Sequence, residues 1–174
     1  TWDEFPVAGV TVDDLSDTAL NRFRREAAKN NRVDEEVLND SAQHLLEDLR
    51  LVDEENGQLS KAAILLFHPQ PEKYIRGAYI KIGFFRSDKE DLAFQDEIHG
   101  SLMEQIAKTL DLMKTKYLVF GISYEGTSRR ETPQLPLEAL RESLMNAVAH
   151  KDYADATPIQ ISVYPDHIVF WNAG

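Results

Sequence analysis

An α+β fold follows from three features of the sequence. Apolar residues recur at helical spacing in four separate stretches, among them Leu102, Ile106, Leu110 and Met113, and then Leu137, Leu140, Leu144 and Val148. Between and after these stretches, residues 78–85, 117–124, 159–164 and 168–171 are rich in Ile, Val, Tyr and Phe, the composition of strands. Turn-forming runs separate the two kinds of element, as in Glu54-Glu55-Asn56-Gly57, His68-Pro69-Gln70-Pro71 and Pro165-Asp166-His167. The expected organisation is a helical segment over 1–60, a mixed α+β middle over 61–134, and the beginning of a further α/β layer over 135–174.

Each element has its own reason. Residues 7–12 read as loop. Ser16 is a helix cap with Asp17 in the first turn, and Leu20, Phe23 and Ala27 follow on one face, with Arg22, Arg24 and Arg25 between them. Asn30-Asn31 ends this helix. Asp34, Glu35 and Glu36 open a second, acids at the positive end of its dipole, with Leu38, Ala42, Leu45, Leu46 and Leu49 as its apolar stripe. Two helices and an acidic turn resemble a winged-helix layout. The run Ala62-Ala63-Ile64-Leu65-Leu66-Phe67 is apolar throughout, so periodicity leaves strand and short buried helix both open. Gly100 precedes the Leu102 helix, residues 117–124 read as a strand, and 127–134 as a polar loop. Pro136 fits the first turn of the Leu137 helix. Residues 159–164 and 168–171 form a hairpin by their turn chemistry.

Composition bounds the function. Hydrophobic residues make up 43% of the 174, enough for a packed core and against wholesale disorder. No apolar run is long enough to span a membrane. The absence of cysteine excludes disulfides and thiolate zinc sites and fits a cytoplasmic protein. Net charge is −11, and residues 1–60 carry fifteen acids against six bases. Phosphate backbones are held through Lys and Arg, so this acidic segment is not expected to grip DNA by itself. Thr1-Trp2-Asp3 at one end and Trp171-Asn172-Ala173-Gly174 at the other read as ends within a longer protein.

The residues that carry chemistry lie in the Leu137 helix. Glu142, Asn146 and His150 are spaced four apart, in one row away from the apolar stripe. An amide oxygen can ligate Mg²⁺ on a nucleotide's phosphates, and a carboxylate one turn away can orient or deprotonate a water. A solvated polar face is the competing reading of the same spacing.

Residues 136–174 resemble the ATPase domain at the C-terminal end of a family of prokaryotic transcriptional regulators, often labelled ATP-dependent DNA helicase RecG-related. The resemblance rests on Ala139-Leu140-Arg141-Glu142, Asn146-Ala147, His150-Lys151-Asp152-Tyr153, Ile159-Gln160-Ile161-Ser162-Val163 and Ile168-Val169-Phe170-Trp171-Asn172-Ala173-Gly174. Upstream, Trp2-Asp3, Leu59-Ser60-Lys61 with the apolar run, Phe84, and Gly100-Ser101-Leu102-Met103-Glu104-Gln105-Ile106 resemble the middle of the same family. The resemblance implies the N-terminal part of a GHKL, or Bergerat-type, nucleotide fold over 135–174. It implies a catalytic base at Glu142, a Mg²⁺ position at Asn146 acting through the nucleotide, and cofactor-binding positions at Asn146, His150, Asp152, Asn172 and Gly174. ATP and Mg²⁺ are then the cofactors of the intact protein, with none expected on this chain alone. DNA is its partner through an AlbA-type domain ahead of Thr1, and a homo-oligomer is expected.

The chain departs from that pattern. GHKL enzymes carry an Asp-x-Gly-x-Gly turn whose Asp reads adenine, whereas here the turn is Asn172-Ala173-Gly174 and no glycine-rich lid follows. A non-enzymatic scaffold or dimerisation module with a degenerate nucleotide fold is therefore the alternative. The phosphate loop of a helicase motor, Gly-x-x-x-x-Gly-Lys-Ser/Thr, does not occur, so unwinding is not assigned. The five histidines form no His-Glu-x-x-His pair, and Ser143 has no nucleophile elbow around it. Arg129, Arg130 and Lys151 could meet phosphates or could be a solvated loop. Lys81 and Arg86 are too few for a sheet that stacks RNA bases.

Overall fold

Ser16 caps the first helix, its hydroxyl accepting the N–H of Ala19 at 3.2 Å, and α1 runs Asp17–Lys29 to a C-cap at Asn30. This is a computed structural model that describes residues 1–30, 38–53, 55–118, 122–125, 128–131 and 136–174, with the backbone alone for 122–125 and 128–131. The chain is α+β. No helix among the described residues is long and apolar enough to cross a membrane. Contacts group the residues into two units: Thr1–Ala78 with Gly100–Glu104, and Tyr79–His99 with Gln105–Gly174. Beside the segments expected at 1–60, 61–134 and 135–174, the helix Lys61–Phe67 packs against α1 across position 60, and the strand Ile80–Phe85 pairs with Ile159–Val163 across position 134.

In the first unit α1 buries Ala19 and Leu20, and Arg24 turns inward with them. The Arg24 guanidinium donates from Nη1 to the Asn21 side chain at 2.9 Å and from Nη2 to the Asp40 carbonyl at 2.7 Å, while its buried Nε has no partner among the described residues. The helix start expected at Asp34, Glu35 and Glu36 lies outside the described residues. The described helix, α2, runs Ala42–Asp48 and is capped by Ser41, whose hydroxyl accepts the N–H of His44. Leu45 and Leu46 are its buried pair, while Leu38 lies exposed ahead of it and Leu49 is its C-cap. Arg50 follows in the left-handed region at φ 56, and Leu51 N–H reaches back to the Leu46 carbonyl at 2.8 Å, a Schellman ending in which an arginine occupies the usual glycine position.

The next turn uses its residues as expected. The Asp53 carboxylate accepts the N–H of Glu55 and of Asn56, and Gly57 takes a positive φ of 68; Glu54 lies outside the described residues. Beyond it, β2 (Leu59–Ser60) pairs antiparallel with β1 (Pro6–Val7), whose second residue opens the stretch 7–12 expected to be loop. The apolar run resolves as a helix, α3 (Lys61–Phe67), because Ser60 caps it and His68-Pro69 ends it. Ala63, Ile64, Leu65 and Phe67 are all buried, the pattern of a short helix enclosed by its unit. Phe67 meets Phe23 edge-on at 5.6 Å, its carbonyl accepts the Ser16 N–H at 2.8 Å, and the Lys61 amine stands 4.1 Å over the Trp2 ring.

The second unit is built on a four-stranded sheet in the order β4-β3-β7-β8. Here β3 is Ile80–Phe85, β4 is Leu92–Ile98, β7 is Ile159–Val163 and β8 is Ile168–Trp171. β3 pairs antiparallel with β4 and parallel with β7, and β7–β8 is the expected hairpin, closed by Tyr164 N–H to His167 carbonyl at 2.9 Å. Strand β4 was not expected from the sequence, since Gln95, Asp96 and Glu97 mask its alternation. Ile80, Ile82 and Phe84 face inward with Ile159, Ile161 and Val163, all buried. The helix after Gly100 is α4 (Leu102–Leu112), and it continues as a π-helical turn, Met113–Tyr117. Tyr117 thus ends a helix rather than starting a strand. Its hydroxyl, fully buried, lies 3.0 Å from the Ile82 carbonyl and 2.8 Å from the Asp96 carboxylate. The Lys116 amine on the same carboxylate, at 2.8 Å, and the Tyr117 hydroxyl hold Asp96 below the ordinary carboxylate range, while burial first and Asp96 second push the tyrosine upward.

The strand expected over 117–124 is β5 (Ile122–Glu125), and the expected loop contains β6 (Ser128–Glu131), paired with it as a hairpin. Ser-Arg-Arg-Glu has no apolar alternation, so only its partner makes it a strand. Phe120, Gly121 and Gly126 lie outside the described residues, as do the side chains of Tyr124, Arg129 and Arg130.

His68 supplies the first prediction. It is buried at the end of α3, its Nδ1 accepts the Gln70 N–H at 2.9 Å, and its ring meets Tyr74 edge-on. Burial depresses its pKa, against the opposing attraction of Asp14. The folded state therefore holds the neutral ring. Its contribution is fully present above the unfolded value of about 6.5 and is lost as pH falls from there toward the lower folded value. Thermal unfolding compared between wild type and His68→Asn, which keeps an acceptor for Gln70, should show a shallower acid limb in the variant. Identical limbs between about pH 5 and 7 would remove His68 as their cause.

Candidate functional site

Helix α5 (Leu137–His150) begins after Pro136, which sits at the N-cap rather than inside the first turn. Leu140, Leu144, Ala147 and Val148 form its buried stripe, and the helix packs against β8. Leu137, expected in that stripe, is 47% exposed. Glu142, Asn146 and His150 are all exposed, on the side away from the stripe. Neither Glu142 nor Asn146 makes a side-chain hydrogen bond among the described residues. Both retain their full acceptor capacity, so an amide oxygen and a carboxylate one turn apart are available to a metal-bound nucleotide.

The chain leaves α5 at Lys151, whose backbone is extended (φ −65, ψ 132). From here the structure brings together four of the expected positions: His150, Asp152, Asn172 and Gly174. Asp152 N–H donates to the Ala173 carbonyl at 2.6 Å. Gly174 passes so close to the end of α5 that a Cβ on it would collide with the His150 carbonyl oxygen, which is the reason for a glycine there. The Asn172 amide nitrogen is 3.3 Å from the Ala173 carbonyl, leaving its oxygen unspent in this arrangement. The 172–174 turn is thus seated on the end of α5, below the exposed row, whereas Glu142 lies two turns further up the helix.

The loop after α5 is held by its own side chains. The Asp152 carboxylate accepts the Ala154 N–H at 2.9 Å, and the Asp155 carboxylate accepts the Thr157 N–H at 2.7 Å. The Thr157 bonds, with Lys151 nearby, hold Asp155 below the ordinary carboxylate range. The Tyr153 hydroxyl donates to the Val148 carbonyl at 3.0 Å, and burial pushes its pKa upward. Lys151, read from the sequence as a residue for phosphates, is only 5% exposed, and its amine donates to the carbonyls of Asp152 and Asp155. Sequence reasoning missed these two loop-holding residues. For Tyr153 the available signal was its position just after a helix end, where free carbonyls attract donors; Lys151 donates to loop carbonyls and carries no such signal.

Elsewhere, Asp40, His44 and Asp48 bring three ligand-type atoms within 4.8 Å of one another on the surface. The His44–Asp48 pair, 3.7 Å apart at i,i+4, accounts for that grouping as an ordinary helix-surface contact.

Replacing Tyr153 by Phe should cost about 1–2 kcal/mol, because the Val148 carbonyl loses its side-chain donor while the ring still packs. Urea unfolding of the two proteins measures this directly, and an unchanged midpoint would show that water replaces the hydroxyl at no cost.

No family model matches the chain, and no curated protein matches it. Among solved structures, the DIP2311 protein from Corynebacterium diphtheriae superposes on all of this chain with a TM-score of 0.69 at 21% sequence identity. The match takes up 33% of that protein, so this chain spans about a third of its length. The likeness is one of fold.

Proposed function

We propose that this chain supplies part of a Bergerat-type ATP–Mg²⁺ site to an ATP-linked, DNA-associated transcriptional regulator. The observation that carries the reading is the exposed row Glu142, Asn146 and His150 on a helix whose other side is buried, with the 172–174 turn seated at its end. Asn146 offers its amide oxygen to the Mg²⁺ that accompanies the nucleotide, and Mg²⁺ would supply charge neutralisation on the phosphates. Glu142 orients or deprotonates the attacking water. The resemblance to the RecG-related family supports the same roles, and assigns DNA binding to an AlbA-type domain outside these residues. Asn172 in place of an aspartate counts against tight adenine recognition and makes weak binding the expectation.

The test is titration calorimetry with ATP and Mg²⁺ on the full chain and on a longer protein that continues past Gly174. Asn146→Ala should abolish binding, and Glu142→Ala should keep binding but lower turnover by about 10²–10⁴-fold, the usual worth of a general base. Unchanged binding and turnover in both variants would sink the assignment.

A second reading is favoured by β8. This edge strand, Ile168–Trp171, carries no charge, and Val169 and Trp171 are 44% and 47% exposed. The opposite edge, β4, is blunted by Asp96 and Glu97. An uncharged edge on a chain of net charge −11 suits pairing between copies in a non-enzymatic scaffold. Light scattering should then give a dimer that Trp171→Lys dissociates; a monomer at every concentration removes this reading.

A further inference from the structure

Lys151 is a charged side chain placed where the fold ordinarily places apolar ones. It is 5% exposed, among the most buried polar residues of the described chain. A buried amine is costly unless its N–H groups are satisfied. Two of the three N–H groups of Lys151 go to backbone: the Asp152 carbonyl at 3.0 Å and the Asp155 carbonyl at 3.2 Å. The Tyr153 ring centroid lies 5.2 Å from the same nitrogen. Three of the four residues after Lys151 therefore converge on its amine, and the loop is wrapped round it as other loops are wrapped round a cation. Burial lowers the pKa of the amine while Asp155 and Asp152 raise it, consistent with a nitrogen enclosed by its own loop.

What this loop touches gives the amine its consequence. Asp152 N–H is the donor to Ala173, and the His150 carbonyl is the surface on which Gly174 rests. The amine holds the Asp152 peptide by its carbonyl while the N–H of the same residue holds the turn. An amine meant for phosphate would stand in solvent, as a point charge on a free stem; this one is committed inward.

We propose that Lys151 is a positioning residue for the candidate site: its buried amine, holding the carbonyls of Asp152 and Asp155, fixes the loop that seats the 172–174 turn on the end of α5. Its effect on ligand binding rests on the nucleotide reading above; its effect on the loop does not.

The experiment is hydrogen exchange, resolved by residue, on the full chain and on variants. Lys151→Met keeps most of the stem and removes the donors. Because the chain has no cysteine, Lys151→Cys alkylated with bromoethylamine while unfolded, then refolded, returns an amine at this one position. Lys151→Met should speed exchange of the Asp152 and Ala154 amides by about tenfold or more, the fold-change expected when charge-assisted hydrogen bonds are lost. Amides of the β3–β4 ladder should keep their protection, and the aminoethylated protein should recover the wild-type rates. Equal loss of protection throughout the chain, or an aminoethylated protein that behaves like the methionine variant, would overturn the proposal. A measurement on the wild type covers a variant that does not fold: the amine protons of Lys151, followed by nitrogen-15 magnetic resonance, should exchange more slowly than those of exposed lysines, and equal rates overturn it outright. Affinity for ATP and Mg²⁺, measured on the same proteins, should fall about tenfold with Lys151→Met and return on aminoethylation. If neither the wild-type chain nor the longer protein that continues past Gly174 binds nucleotide, the site reading fails while the exchange data still decide the role of Lys151. If wild type binds and Lys151→Met binds equally well despite faster loop exchange, the loop does not position the site and the proposal falls.

Discussion

The parallel register between β3 and β7, from Ile80↔Ile159 to Phe84↔Val163, is the constraint on which the second unit depends. Antiparallel neighbours can be made locally by a hairpin, as β7–β8 is, but a parallel pair needs a long crossover. The chain between these two strands holds β4, α4, the π-helical turn, the β5–β6 hairpin and α5. The shared register aligns Ile80, Ile82 and Phe84 with Ile159, Ile161 and Val163 on one face, and a slip of one residue would turn that whole set outward. With the face fixed, β8 falls at the edge beside α5. The end of β8 then meets the end of α5, which places Ala173 within reach of Asp152 and Gly174 against His150.

That junction differs in kind from the core that places it. The sheet is held by burial of β-branched and aromatic side chains, a non-directional force that fixes layers but not individual peptides. The loop after α5 is held by directed bonds: two Asp side chains on backbone N–H groups, a tyrosine hydroxyl on the Val148 carbonyl, and one amine on two carbonyls. The tyrosine hydroxyl satisfies one of the carbonyls that the helix end leaves free, the amine satisfies two loop carbonyls, and together these bonds set the peptide orientations next to the candidate site. A charge-free way of filling the same space would leave those carbonyls unpaired, at about 1–3 kcal/mol for each buried group.

Elements with local causes were legible in the sequence. Ser16 before a periodic stripe gave α1, the Leu140 and Leu144 stripe gave α5, and the Pro165-Asp166-His167 turn gave the closing hairpin. Elements with distant causes were not. Strand β4 reads as polar because Asp96 turns toward Tyr117 and Lys116, partners far along the chain. β6 is a strand only because β5 pairs with it. Tyr117 has strand propensity, yet its hydroxyl finds the Ile82 carbonyl from the end of a helix, and that tertiary bond outweighs propensity. In the site, the spacing of Glu142, Asn146 and His150 gave their common face directly. Lys151 was legible as a cation but not as a buried one, since nothing within a few residues of it announces enclosure.

The contrast between Lys151 and the polar row bears on what each is for. Lys151, Tyr153 and Asp155 have partners within the fold, so their chemistry is accounted for by folding. Glu142 and Asn146 have none among the described residues, and they stand in solvent on a helix that is already anchored by four buried residues. Surface polar groups without partners contribute little to stability, so the fold does not explain their identity. An Asn is also a poorer helix former than the Lys, Gln or Glu that an inert exposed position would favour. Its cost, about half a kcal/mol in a helix interior, is offset nowhere in the described structure. In the proposed function that residual cost is matched by a role outside the fold, Asn146 meeting a metal-bound phosphate beside Glu142.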